Sequence, residues 1–290
     1  MASNPVQSKT AFVFAGGGSF GAIQVGMLHA LAAHNIAADM VFGSSVGALN
    51  GAYYAGNPTI EGVRKLEKIW RGLRRQDVFP VTWRTIMAFA LRRDFLVTSE
   101  GLRKIIDEHL PYRNLEDAAI PIYVVATDIL SGESVVLSKG PAAEAILAST
   151  AIPAAFAPVK FERQYLADGA ISNNTPVNIA VKLGAQRLII LPTWYACALE
   201  RPPIGAIASA LHALTLLIAR QLLGDVEALD RRIEYFVVPP LCPLAGSPYD
   251  FSQTGKLIEA AAESTDNWIS SGGLQRPGVH DTLSMHKHTH

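Results

Sequence analysis

Two glycine-framed segments near the start of the chain could do chemistry, and a third lies further along. The residues Gly43-Ser44-Ser45-Val46-Gly47 have the form GxSxG. They follow an apolar stretch, Asp39 to Phe42, that reads as a strand, and they open a stretch, Ser45 to Ala55, that reads as a helix. A serine on a tight strand-to-helix turn is the setting a nucleophile elbow requires. Small neighbours such as Gly43 and Gly47 leave room for the turn, and the start of a helix favours negative charge beside the serine. Ser45 is therefore the candidate nucleophile, with Ser44 and Ser19 read as loop hydroxyls.

Upstream, Gly16-Gly17-Gly18-Ser19-Phe20-Gly21 joins the apolar run Ala11 to Ala15 to a helical pattern from Ala22 to His34. Glycine allows close backbone approach, and a strand-to-helix turn aims free N–H groups at an anion. Gly16, Gly18 and Gly21 match the GxGxxG spacing of a dinucleotide cradle. That reading wants an acidic residue at the end of the next strand, whereas Asp39 stands at its start. The loop of Gly16, Gly17, Gly18 and Ser19 suits an oxyanion hole for acyl transfer better, and a tight turn that holds no ligand is the competing reading.

A serine hydroxyl needs a base. In the triad order of α/β-hydrolases the histidine follows the acid, which leaves His212 and the histidines of the tail. His212 falls in an apolar helical stretch and the tail reads as loose, so a triad is disfavoured. Asp168-Gly169-Ala170 ends a short strand, Tyr165 to Ala167. An aspartate there can reach the same cleft as the elbow. Poor solvation would raise its pKa and let it take the serine proton directly. A turn-capping role competes, because Asp-Gly is a common turn pair. Asp128, ahead of Gly132-Glu133, reads as a structural turn residue.

The elements that must hold these groups alternate. Strands at Pro121 to Thr127, Arg187 to Leu191 and Arg232 to Val238 are interleaved with helices at Val63 to Leu73, Ala142 to Ser149, Thr175 to Leu183, Ile204 to Asp230 and Lys256 to Ile269. That alternation predicts an α/β sandwich with a mostly parallel sheet. One domain spans residues 11–270, with residues 1–10 and 271–290 expected to be flexible. The segment 76–97 is less regular and reads as a cap-like insertion.

Composition narrows the classes. The 290 residues carry 25 Lys+Arg and 25 Asp+Glu, and 49% are hydrophobic. Disorder is excluded. Nucleic-acid binding, which needs a basic excess, is not expected. Two cysteines provide neither a disulfide framework nor a CxxC metal pattern. Met1 to Thr10 is polar, with no signal-peptide pattern. The stretch from Ile204 to Leu223 approaches a membrane span in length, but His212 and Arg220 favour a core helix. A cytoplasmic protein is expected.

The order of glycine-rich loop, GxSxG and Asp-Gly resembles the patatin-like phospholipase family, the bacterial-type patatin-like serine acyl hydrolases. So does Ala148-Ser149-Thr150-Ala151-Ile152-Pro153 ahead of the aspartate, and Asn173-Asn174 with Pro176 after it. The resemblance implies a three-layer α/β/α fold and a Ser-Asp dyad of Ser45 and Asp168. It also implies an oxyanion hole from the N–H groups around Gly17, Gly18 and Ser19, and hydrolysis of lipid acyl esters with no metal or cofactor. Phe20 stands where the family usually has Arg or Lys, which shifts the expected substrate away from phospholipids towards neutral acyl esters. The same departure motivates an alternative: a non-catalytic lipid-binding or regulatory protein that keeps the fold.

Zero net charge hides an asymmetry. Between Arg64 and Lys104 there are 11 Lys+Arg and 4 Asp+Glu, a local charge of +7. Within it, Trp83, Arg84, Met87, Arg92 and Arg93 belong to an amphipathic pattern that could lie on an anionic lipid surface. A packed helix with a solvated charged face is the competing reading.

Overall fold

The structure, a computed structural model, describes residues 8–79, 97–194, 205–242, 244 and 247–278. Its centre is a sheet in which β1 (Thr10–Phe14), β2 (Met40–Ser44), β3 (Ile122–Asp128), β7 (Arg187–Leu191) and β8 (Glu234–Val237) run parallel in the order β3-β2-β1-β7-β8. Beyond β3 the sheet turns antiparallel, through β4 (Ser134–Leu137), β6 (Gln164–Ala167) and β5 (Val159–Phe161).

The parallel strands are apolar almost throughout because helices bury both their faces. Side chains alternate across the sheet. Phe12, Phe14, Ile189 and Leu191 pack on one side, and Ala11, Val13, Leu188 and Ile190 on the other. The first face is covered by α1 (Gly21–Ala33), α2 (Val46–Gly56), α3 (Ile60–Gly72) and α6 (Ala142–Ser149), and by α10 (Thr254–Ser270) behind α1. The opposite face is covered by α8 (Val177–Lys182) and α9 (Ala206–Glu227). This is the three-layer arrangement that the alternation and the resemblance lead one to expect.

Helix α1 is buried on nearly every side, as a helix enclosed between a sheet and another helix must be. Helix α3 is amphipathic and buries Val63, Leu66 and Trp70. Thr59 caps it, its hydroxyl accepting the Gly62 N–H at 3.1 Å. Two short helices complete the region near the site, α4 (Arg75–Val78) and α5 (Glu100–His109), and α7 (Ala170–Asn173) follows Asp168.

The hairpin strand β5 and the short helices α4 and α7 are not read from the sequence. From residue 271 the sequence predicts a loose tail. Of that tail only residues 271–278 are described, and there the Gly278 N–H donates to the Tyr235 carbonyl at 2.8 Å; residues 279–290 lie outside the described residues. No helix among the described residues is long and apolar enough to cross a membrane.

Candidate active site

The site forms at the carboxyl ends of β1 and β2, where open α/β sheets place their ligands. Ser45 follows β2 directly, with φ 54° and ψ −129°. A positive φ in a non-glycine residue is strained and persists only where its surroundings enforce it. Those surroundings are backbone. A side chain at Gly47 would strike the Phe14 carbonyl, and one at Gly43 would come within 2.6 Å of the Gly47 carbonyl carbon. The Ser45 N–H donates to Ser149 Oγ at 2.9 Å, and Ser149 Oγ donates to the Val125 carbonyl at 2.6 Å. The elbow is thus pinned to α6 and β3.

Asp168 reaches Ser45 because β6 meets the end of β3 antiparallel, with Ala167 opposite Thr127. The chain leaving β6 continues in the same direction along β3, which brings Gly169 against the Val125 carbonyl. Val125 pairs with Ser44, so Asp168 arrives beside the elbow. Ser45 Oγ donates to Asp168 Oδ2 at 2.6 Å. The other oxygen, Oδ1, accepts the Ala170 N–H at 2.8 Å. Thr127 Oγ1 holds the Asp168 carbonyl at 2.8 Å. The carboxyl is only 3% exposed, and burial pushes its pKa up to about 6 despite the hydrogen bonds from Ser45 and Ala170. Among the described residues no histidine hydrogen-bonds to either side chain. Asp128 accepts the Leu130 N–H at 2.9 Å, as a turn residue does.

The glycine loop lies against the elbow, and a side chain at Gly16 would come within 3.0 Å of Ser45 Cβ. Of the four residues expected to offer N–H groups to an anion, two have them engaged within the fold. Gly16 donates to the Asn174 carbonyl at 3.2 Å and Ser19 to the Pro248 carbonyl at 2.7 Å. The N–H groups of Gly17 and Gly18 have no such partner among the described residues. Gly18 has φ +60° and a side chain there would meet the Pro248 carbonyl, so glycine is required. Thr193 Oγ1 holds the Gly16 carbonyl at 2.7 Å. Phe20 is buried in the main core rather than turned to the site. Asp39 binds the Thr10 N–H at 2.7 Å, at the opposite end of the sheet from the loop, where no dinucleotide ribose on that loop could reach it.

A buried chain of amides braces both ends of the loop. Gln24 Nε2 donates to the carbonyls of Ala15 and Leu191, at 2.8 and 2.9 Å. Asn50 Nδ2 donates to the Gly21 carbonyl at 2.9 Å and to Gln24 Oε1 at 2.8 Å. Trp70 Nε1 donates to Asn50 Oδ1 at 2.8 Å. The Trp70 ring also borders an apolar cleft that starts at Ser45 and Gly18 and is partly open to solvent. Val46, Leu49, Phe79 and Phe156 are among its other walls.

Sequence reasoning identifies Ser45, Asp168 and the loop, but not the cleft or the supporting Gln24, Asn50, Trp70, Thr127 and Thr193. Ser149 lies in a segment the resemblance had marked, without a role attached. Trp83, Arg84, Met87, Arg92 and Arg93 lie outside the described residues. No cluster of metal-ligating side chains occurs among the described residues.

A serine on a strained strand-to-helix turn, bonded to a buried carboxyl beside a glycine loop, defines an α/β protein organised around a serine–aspartate pair. The family model for patatin-like phospholipase matches residues 12–181, and the chain belongs to that family. Relatives include patatin-like phospholipase domain-containing protein 7 of Rattus norvegicus, 28% identical over 62% of this chain and 13% of its own length. Lysophospholipase NTE1 of Scheffersomyces stipitis is 28% identical over 61% of this chain and 11% of its own. The chain thus spans a small part of these relatives. Among solved structures, VipD from Legionella pneumophila matches 91% of this chain and 67% of its own, with 16% identity and a TM-score of 0.50. Human GIVD cytosolic phospholipase A2, in complex with a methyl γ-linolenyl fluorophosphonate inhibitor and terbium chloride, matches 92% of this chain and 59% of its own, with 12% identity and a TM-score of 0.50. At those identities the likeness is one of fold.

Proposed function

We propose that the protein is a lipid acyl hydrolase that cleaves carboxylic esters through an acyl-serine intermediate. The observation that carries this reading is the 2.6 Å hydrogen bond from Ser45 Oγ to a buried Asp168 whose pKa stands near 6. Such a carboxyl is ionised at neutral pH yet basic enough to accept a proton, the compromise general-base catalysis favours.

Ser45 Oγ attacks the ester carbonyl carbon while its proton passes to Asp168 Oδ2. The carbonyl oxygen becomes an oxyanion, and the N–H groups of Gly17 and Gly18, which have no acceptor among the described residues, would serve as its donors. The N-terminus of α2 adds favourable potential. As the intermediate collapses, the C–O bond to the alcohol breaks, and the departing oxygen takes the proton from Asp168. Water then attacks the acyl-serine, giving its proton to Asp168, and Ser45 leaves with that proton restored. The apolar cleft at Ser45 suits a hydrocarbon chain. The family and the lysophospholipase among its relatives support a lipid substrate.

Hydrolysis of p-nitrophenyl esters and labelling by a fluorophosphonate test this reading. Folded protein is expected to be labelled at Ser45, with label and turnover both lost in Ser45→Ala. Labelling elsewhere, or turnover that survives in Ser45→Ala, would reject it.

A further inference from the structure

The cleft beside Ser45 has a wall with a second cleft behind it. Leu73 and Ile105 border the inner, apolar cleft, and both also border an outer, solvent-open one of about 1040 Å³. Ser45 borders only the inner cleft. The outer cleft is rimmed by Lys65, Lys68, Asp77 and Glu108. Leu73 and Ile105 are each half-buried. Their backbones are fixed. The Leu73 N–H closes α3 on the carbonyls of Ile69 and Trp70, at 3.1 and 3.2 Å, and the Ile105 carbonyl accepts the Tyr53 hydroxyl at 3.0 Å.

We propose that Leu73 and Ile105 form the end wall of the acyl-binding cleft and set the length of hydrocarbon chain the enzyme accepts. The inference rests on Ser45 as the nucleophile. An ester carbonyl held at Ser45 leaves its chain to run into the apolar cleft. Each methylene that leaves water there strengthens binding roughly fourfold. Past Leu73 and Ile105 the surroundings are charged and wet, so further methylenes gain little. The two side chains therefore mark the point where added length stops helping. Thinning them joins the clefts and admits longer chains, and thickening them shortens the run.

The test is the kcat/KM profile on p-nitrophenyl esters from butanoate to palmitate, for wild type, Ile105→Ala, Leu73→Ala/Ile105→Ala and Ile105→Trp. Relative to butanoate, the alanine variants are expected to move the optimum to longer chains, and Ile105→Trp to shorter ones by several methylenes. An optimum at the same length in all four proteins overturns the proposal, and folding is checked by melting temperature. Calorimetric titration with decanoate and palmitate, using the Ser45→Ala background, reads the wall without turnover. A palmitate-to-decanoate affinity ratio that rises in the alanine variants and falls in Ile105→Trp supports the wall, and an unchanged ratio or no binding overturns it. If folded wild type turns over no ester while this ratio still shifts, the nucleophile reading fails, and Leu73 and Ile105 bound a hydrocarbon-binding cleft rather than an enzyme's acyl site.

Discussion

Asp168→Asn separates the chemistry of the site from the stability of the fold. Asparagine keeps the shape of the side chain. Its carbonyl oxygen can take the Ala170 N–H, and its amide can donate to Ser45 Oγ, so both contacts of Asp168 have replacements. What is lost is the negative charge and the ability to accept a proton. In the folded protein the Asp168 pKa is raised from 3.8 to about 6, chiefly by burial. Below pH 3.8 the carboxyl is neutral in folded and unfolded chains alike. Between 3.8 and 6 only the folded chain holds the proton, so the unfolded state binds fewer protons and stability falls as pH rises. Each pH unit in that window removes ~1.4 kcal/mol, or ~3 kcal/mol in all by pH 7. Asp168→Asn escapes that loss. It is expected to be more stable than wild type at pH 8 by an amount approaching ~3 kcal/mol, and to lose the advantage towards pH 4. Urea denaturation at both pH values measures it. Turnover is expected to disappear in the variant, while wild-type kcat/KM rises with pH through an apparent pKa near 6 as the base ionises. A variant less stable than wild type at pH 8 would refute the buried-charge argument. Retained turnover would refute Asp168 as the base, and loss on His212→Ala in its place would favour a triad.

Ser149→Ala removes the acceptor of the buried Ser45 N–H and the donor to the Val125 carbonyl. Stability is expected to fall by ~1–3 kcal/mol and kcat to drop while KM changes little, which steady-state kinetics would separate. Asn50→Leu orphans the Trp70 indole N–H and Gln24 Oε1. A loss of ~2 kcal/mol or more is expected, with slower fluorophosphonate labelling as the glycine loop loses its brace. The basic stretch between Arg64 and Lys104 carries a charge of +7. Flotation with anionic vesicles is expected to weaken when Arg84, Arg92 and Arg93 are changed to Glu, and the loss should diminish in high salt.

Much of the fold is legible because buried parallel strands leave a plain signature. Ala11 to Ala15 and Arg187 to Leu191 are short apolar runs, and they become adjacent strands of the sheet. The helical spacing from Ala22 and the capping Thr59 are equally local signals, and both elements form where expected within a few residues. Strand β5 is missed for a physical reason. It is three residues long, none of them fully buried, and it is held by pairing with β6 rather than by a hydrophobic face. The docking of Gly278 on Tyr235 is likewise a tertiary contact with no local signature.

The site divides along the same line. Ser45 and Asp168 are legible as residue types in local turns, because an elbow needs small neighbours and a strand end needs a turn. Which loop N–H groups stay available is not legible. Gly16 and Ser19 find their acceptors in Asn174 and Pro248, residues far along the chain that only the folded sheet brings near. The raised pKa of Asp168 is not local either, since it comes from burial of a residue that the pairing of β6 with β3 carries beside Ser45. The cleft beside Ser45 is the extreme case, because nothing local in the sequence around α3 or α5 marks it. Their half-buried Leu73 and Ile105 acquire meaning only where two clefts share them. The local sequence thus names Ser45 and Asp168 as candidates, while the long-range contacts bring them together, bury the carboxyl and engage some of the loop N–H groups.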